Sequence, residues 1–231
     1  MRPGYPPSWS MGPRRTPGGS GIRRAVRSGW TCTTSLTIDK DVPKAITYGV
    51  LDVGANVGWM SVGDDHDTSA FAVNAIRRWW QVMGKPRYPE ATTLMITADA
   101  GGSNGYRNKL WKVELAALAA ETGLTITVCH YPPGTSKWNK IEQRMFSFIT
   151  KHWRGRPLTS YQVIVDLVAA TTTKGGLRIL AEWEQGDYPT PKGIQISDAQ
   201  IAALPLVGHK WHPEWNYDLN PDISTPVATG E

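Results

Sequence analysis

Acidic residues are missing from the first 38 positions of this chain. Lysine is missing with them, and six arginines stand among Pro, Gly and Ser clusters such as PRRTPGGS. A segment so poor in apolar surface cannot offset the entropy of ordering it, so residues 1–38 are expected to be disordered. Cysteine is scarce too: Cys32 and Cys129 lie far apart and form no CxxC pair, which argues against a disulfide framework or a zinc site. No apolar run approaches the roughly 18 residues that a membrane helix needs, and the basic N-terminus lacks the apolar stretch of a signal peptide. The expectation is a soluble, cytoplasmic protein without a membrane partner.

What is present fits one folded domain. The chain has 231 residues, 40% of them hydrophobic and eleven of them tryptophan, enough to bury a sizeable core. A formal net charge of +5 favours a polyanionic partner, although basicity alone points only weakly to nucleic acid.

From Asp39 the composition becomes globular. Ile46 to Val53 and Trp59 to Val62 read as strands of a hairpin joined by GANVG. Asp67 is placed to cap a helix whose apolar positions, Ala72, Ile76, Trp79, Trp80 and Met83, fall at helical spacing before a C-capping Gly84. Leu94 to Ala98 is a short strand ending at Asp99, and GGSNG separates it from a helix of about 108–122 closed by Gly123. Leu124, Ile126 and Val128 alternate with Thr125, Thr127 and Cys129 as a further strand, followed by a Pro-Pro-Gly break and the helix of Glu142. Beyond these, a helix at Tyr161 to Ala170, a strand in LRILAEWEQGDY and a short helix capped by Ser197 are expected, with an irregular aromatic tail from His209. This order is α/β with a mixed sheet.

Two carboxylates stand where chemistry is done in such folds. Asp99 lies at the carboxyl end of a strand, and Glu142 opens the helix after the next strand. If those strands are parallel neighbours the two converge, as hard oxygen ligands must to hold Mg²⁺ for phosphoryl transfer. The bland alternatives stay open: Asp99 as a turn former before Gly101 and Gly102, Glu142 paired with cations on a solvated face. Lys137, Trp138, Asn139, Lys140 and Arg144 surround Glu142, and with His130 they supply cations and stacking surface suited to DNA. GGSNG could cradle a phosphate but matches no P-loop spacing. His66 among Asp64, Asp65 and Asp67 fits an acidic helix entry better than a metal cluster, and His209 and His212 look incidental.

Five stretches, ITYGVLDVGANVGWMSVGDDHDTSAFAVNAIRRWW, ITADAGGSNGYRNKLWKVEL, VCHYPPGTSKWNKIEQRMFSFI, WRGRPLTSYQVIV and AATTTKGGLR, closely resemble the Rhodopirellula-type DDE transposase domain of bacterial insertion sequences. The resemblance runs from about Asp39 to Tyr217. It implies an RNase H-like mixed sheet flanked by helices and Mg²⁺- or Mn²⁺-dependent DNA cleavage and strand transfer. Asp99 and Glu142 would then be catalytic, metal-holding residues, and the partners would be transposon-end and target DNA, with a possible homo-oligomer. Residues 39–220 would form the catalytic domain and 221–231 a C-terminal tail.

The resemblance also implies an earlier catalytic aspartate, on the opening strand of the sheet, in a lysine-rich segment that this chain lacks. The expectation is therefore an N-terminally truncated domain without its first strand. Shifting the probable codons of GGSGIRRA and GWTCTTSLT back by one nucleotide permits strings similar to the family's sequence before the hairpin, so residues 1–38 are expected to be read out of frame. A truncated, inactive fragment follows; the alternatives are a non-catalytic DNA-binding remnant and a nuclease in which Asp52 serves as the first aspartate.

Overall fold

The structure is a computed structural model, and it describes residues 23–30 (backbone path), 45–64, 66–188 and 194–221. Among the described residues eight strands form one sheet, in the order β6-β3-β2-β1-β4-β5-β8-β7. In chain order the elements are β1 (Arg23–Trp30), β2 (Ile46–Asp52), β3 (Val57–Gly63), α1 (Ser69–Trp79), α2 (Lys85–Arg87), β4 (Thr93–Ala98), α3 (Lys109–Thr122), β5 (Thr125–His130), α4 (Ser147–Trp153), α5 (Tyr161–Ala169), β6 (Arg178–Glu184), α6 (Asp198–Ala202), β7 (Leu206–Gly208) and β8 (Asn216–Leu219). Among the described residues no helix is long and apolar enough to cross a membrane.

The expected hairpin is β2–β3, paired antiparallel from Ile46↔Gly63 to Asp52↔Val57. Its turn is held locally. Asp52 Oδ1 accepts from Ala55 N at 2.9 Å, and Asn56 takes the left-handed conformation (φ 54°) that asparagine tolerates better than most residues.

One expectation is corrected by β1. The sheet was expected to lack its central strand, yet residues 23–30 fill that place, antiparallel to β2 (Ala25↔Asp52 to Trp30↔Thr47) and parallel to β4 (Arg23↔Leu94 to Val26↔Thr97). A gap there would leave β2 and β4 each with a row of unpaired backbone groups. Ladder bonding uses only the main chain, so an arginine-rich segment can supply it. The rest of 1–38, and the tail from 222, lie outside the described residues.

The sheet divides two cores. On one face α1 and α3 pack on Tyr48, Val50, Leu94, Ile96, Ile126 and Val128. On the other, α4 and α5 pack on Leu51, Met60, Val62 and Ile179. Helix α1 starts one residue later than expected, because Thr68 rather than Asp67 accepts from Phe71 N, at 3.1 Å. Nor does Gly84 end it: the helix runs on through a π-helical turn, Trp80–Gly84, into α2. A Cβ on Gly84 would run into the Trp80 ring, so this glycine serves packing rather than capping. Arg78 binds Glu182 of β6 with both carboxylate oxygens, at 2.8 and 2.6 Å, tying α1 to the sheet.

The C-terminal segment departs further from expectation. It forms the hairpin β7–β8, and β8 joins the main sheet antiparallel to β5, from Ile126↔Leu219 to Cys129↔Asn216. Asn-Tyr-Asp-Leu carries little strand signal of its own; the free edge of β5 supplies the ladder, and Tyr217 and Leu219 are fully buried.

Two glycines let the helix of Glu142 lie close on the sheet. A Cβ on Gly49 would meet Phe146 Cε1 at 2.7 Å, and one on Gly58 would meet Met145 Sδ at 2.7 Å. Gly49→Ala is expected to cost about 1–3 kcal/mol in chemical denaturation, by overpacking this layer.

Candidate active site

Asp99 follows the last residue of β4. Along β4 the even positions Leu94 and Ile96 enter the core under α1 and α3, so the alternation turns position 99 toward the opposite face, the one that receives the Glu142 helix. The neighbouring β5 is parallel and in register, Thr97↔Cys129 and Ala98↔His130. The two strand ends that precede Asp99 and the Glu142 segment are thus adjacent, as the sequence led us to expect.

A cleft of about 780 Å³ opens beside Asp99, walled by residues of the GGSNG segment, Tyr106, Arg107 and Pro132 to Gly134. GGSNG is held as a turn: the Ser103 carbonyl accepts from Ser69 Oγ and from Asn108 Nδ2 at 3.2 Å. The Asp99 carboxyl is half-buried, and this desolvation raises its pKa, with a hydrogen bond from Asn139 pulling the other way. His130 Nδ1 lies 3.1 Å from the Asp99 carbonyl oxygen.

Asn139 is the side chain that joins the two carboxylate-bearing segments. It is fully buried, donates through Nδ2 to Asp99 Oδ1 at 3.2 Å, and through Oδ1 accepts from Ile141 N at 3.4 Å. Asn139 therefore caps the helix that begins at Lys140, and Glu142 stands three residues on. The Asn-x-x-Glu spacing is a helix-start signature that could have revealed this role in the sequence. Glu142 opens a π-helical turn, Glu142–Phe146, whose end is marked by Ser147 N donating to the Glu142 carbonyl. Met145 and Phe146 anchor that turn on the sheet.

The residues expected to face DNA are separated by the fold. Lys137, Trp138 and Lys140 are exposed, Trp138 by 57%. Asn139 is not: it is fully buried and bonded to Asp99. Arg144 turns to a second groove, of about 580 Å³, where Nη2 donates to Asn56 Oδ1 at 2.7 Å beside Lys174 and Phe148.

Asp52 is turned away from the Glu142 helix. It shares the parity of Tyr48 and Val50, so it faces α1 and α3, across the sheet from the Glu142 helix. It is 3% exposed, and both oxygens are occupied, by Ala55 N and by Tyr88 OH at 2.7 Å. No residue of β1 is acidic either, and carrying the β1–β4 register two residues on brings Ser28 level with Asp99.

The donor types present suit a hard divalent cation. Asp99 and Glu142 offer carboxylate oxygens, and a bound cation would offset the desolvation that raises Asp99. Their number is small: among the described residues, no three His, Cys, Asp or Glu side chains gather as a metal-holding group, His66 with Asp64 and Asp67 included.

The raised Asp99 pKa fixes the sign of a stability change. An ionised Asp99 is costlier in the folded than in the unfolded state, so its cost is present at neutral pH and vanishes once the pH falls below both pKa values. Asp99→Asn should therefore raise the thermal midpoint at pH 7 and leave it unchanged near pH 3. An equal gain at both pH values would mean that the carboxylate charge is not the cause.

Comparison with known proteins gives a family. Residues 24–221 match the Rhodopirellula transposase DDE domain. Among solved structures, the catalytic core domain of HTLV-2 integrase in complex with magnesium, in a dimeric form, is similar at 11% identity, over 68% of this chain and 91% of that one, with a TM-score of 0.40. No curated protein sequence matches the chain. Because the family match spans most of the sequence, the chain belongs to the Rhodopirellula transposase DDE domain family.

Proposed function

We propose that this chain is the catalytic domain of an insertion-sequence transposase that retains two of three metal-holding carboxylates, binds DNA, and has lost most or all of its strand cleavage with the third. The observation that carries the reading is the Asn139 bridge, which couples the end of β4 bearing Asp99 to the first turn of the helix bearing Glu142. The strand order supports an RNase H-like reading: antiparallel β3-β2-β1, then parallel β4 and β5.

Asp99 and Glu142 would hold Mg²⁺ or Mn²⁺, which when bound would activate a water or a DNA 3′-hydroxyl and stabilise the departing oxygen. The chain's own groups do the rest. Asn139 holds the Asp99 carboxylate in one orientation, and the capped helix start fixes Glu142. Exposed Lys137 and Lys140, with Arg107 across the cleft, would neutralise backbone phosphates, while Trp138 offers a ring to a base. The same polyanion would reach the groove of Arg144 and Lys174 on the hairpin side.

The truncation reading concerns the gene. The absence of any carboxylate in β1 supports it, because the third ligand is lacking from the central strand. Residues of a catalytic set act as a unit, so the loss of one removes most of the rate. Sequencing the locus tests the idea: the adjacent upstream frame should encode a transposase-like segment with its own aspartate.

Two measurements test the functional reading. Mg²⁺ or Mn²⁺ should raise the thermal midpoint of the wild type, and Asp99→Asn and Glu142→Gln should each abolish that rise. Terminal-repeat DNA should bind with an affinity that falls steeply with salt, while nicking stays at the level of Asp99→Ala. Nicking well above that level would overturn the inactive assignment and establish a working enzyme. Failure to bind any DNA would overturn both.

A further inference from the structure

The loop between β7 and β8, residues 209–215, carries an aromatic series that the two carboxylates do not explain. Trp211 is 76% exposed. Its ring meets His212 edge-on (centroids 4.9 Å, 89°), His212 stacks on Trp215 (4.6 Å, 15°), and Trp215 meets Tyr106 edge-on (5.9 Å, 71°). Tyr106 is a wall of the cleft that contains Asp99. It also lies 6.3 Å from His130, whose Nδ1 contacts the Asp99 carbonyl. Five rings thus run from solvent to the candidate active site.

We propose that this ladder is a stacking platform for unpaired bases at the end of a DNA strand whose phosphate lies in the Asp99 cleft; the proposal rests on the transposase reading above. Three observations support a platform over a chance cluster. The loop is braced: His212 is left-handed at φ 47°, an uncommon conformation outside glycine that its neighbours support. That support is present, since the His212 carbonyl accepts from Trp215 N and Asn216 N at 2.9 Å and from Asn216 Nδ2 at 3.2 Å. A braced loop that holds a large apolar ring in water is preorganised for a flat ligand.

Cations flank both ends of the ring series. The Arg107 guanidinium lies 5.1 Å from the Tyr106 ring centroid, and Lys210 is exposed next to Trp211. Glu214 is the one acidic residue of the loop, and it is paired with His212 Nδ1 at 3.0 Å. Bases in a duplex have their faces covered by neighbouring pairs, so a ring ladder discriminates in favour of bases that are already unpaired.

The test uses the full chain and fluorescently tagged duplexes of one sequence, either blunt or ending in a short unpaired tail of either polarity, followed by anisotropy at fixed salt. The wild type is expected to prefer a tailed duplex by about tenfold, a modest share of what base–aromatic stacking yields. Trp211→Ala should remove most of that preference without weakening blunt-duplex binding, and Trp211→Phe should retain most of it. A tail of abasic sugars should keep only the salt-sensitive, phosphate part of the preference and be indifferent to Trp211→Ala. Unchanged thermal midpoints would show that the variants fold. DNA binding with no preference for tails, or an equal loss on both duplexes in Trp211→Ala, overturns the platform alone. Absence of any DNA binding by the wild type instead overturns the transposase reading on which it rests.

Discussion

A single buried amide fixes the relation between the two segments that matter most. Asn139 bonds through one end of its side chain to the Asp99 carboxylate and through the other to the first turn of the Glu142 helix. Fully buried polar groups are costly unless they are bonded, so this side chain is held to its partners by the same desolvation that excludes water around it. Strand end and helix start are tied through this one side chain. Gly49 and Gly58 then admit Phe146 and Met145 close to the sheet, which sets the height of the Glu142 helix above it.

The central strand presents a different kind of constraint. β1 joins β2 to β4 through backbone ladders and so makes one sheet of two halves. Scaffold and chemistry separate at this point: the ladder needs no particular side chain, whereas a divalent cation needs carboxylates. Here β1 completes the sheet without carrying an acidic residue. The position of Asp52 makes the same distinction, since it lies level with Ala25 of the central strand but its carboxylate is spent on Ala55 and Tyr88.

Much of the fold was legible in local pattern. The β2–β3 hairpin, the alternating β5 and α3 with Asn108 at its start and a left-handed Gly123 at its end all follow from short-range chemistry. Ser197 likewise caps α6 with Gln200 in a reciprocal pair. The departures share a cause. Gly84 has the local signature of a helix end, but the Trp80 ring across it and the continuing π-helical turn keep the helix going. The strand character of Asn216–Leu219 came from the edge of β5, outside its own window. Asn139 read as a surface residue among lysines because burial is a property of what packs above it.

By itself the sequence determined the α/β class, the family motifs, the placing of Asp99 after a strand and Glu142 in a helix start, and the absence of acidic residues before position 39. Those are matters of residue identity and of periodicity over a few turns, and they need no knowledge of distant neighbours. Only the tertiary structure decided that residues 23–30 lie in the middle of the sheet, that Asp52 faces away, that Asn139 is buried against Asp99, and that the loop at Trp211 reaches the same cleft through Trp215 and Tyr106. Each depends on which face of the sheet a residue occupies and on what the chain brings there from as much as 109 positions away, and long-range packing sets that.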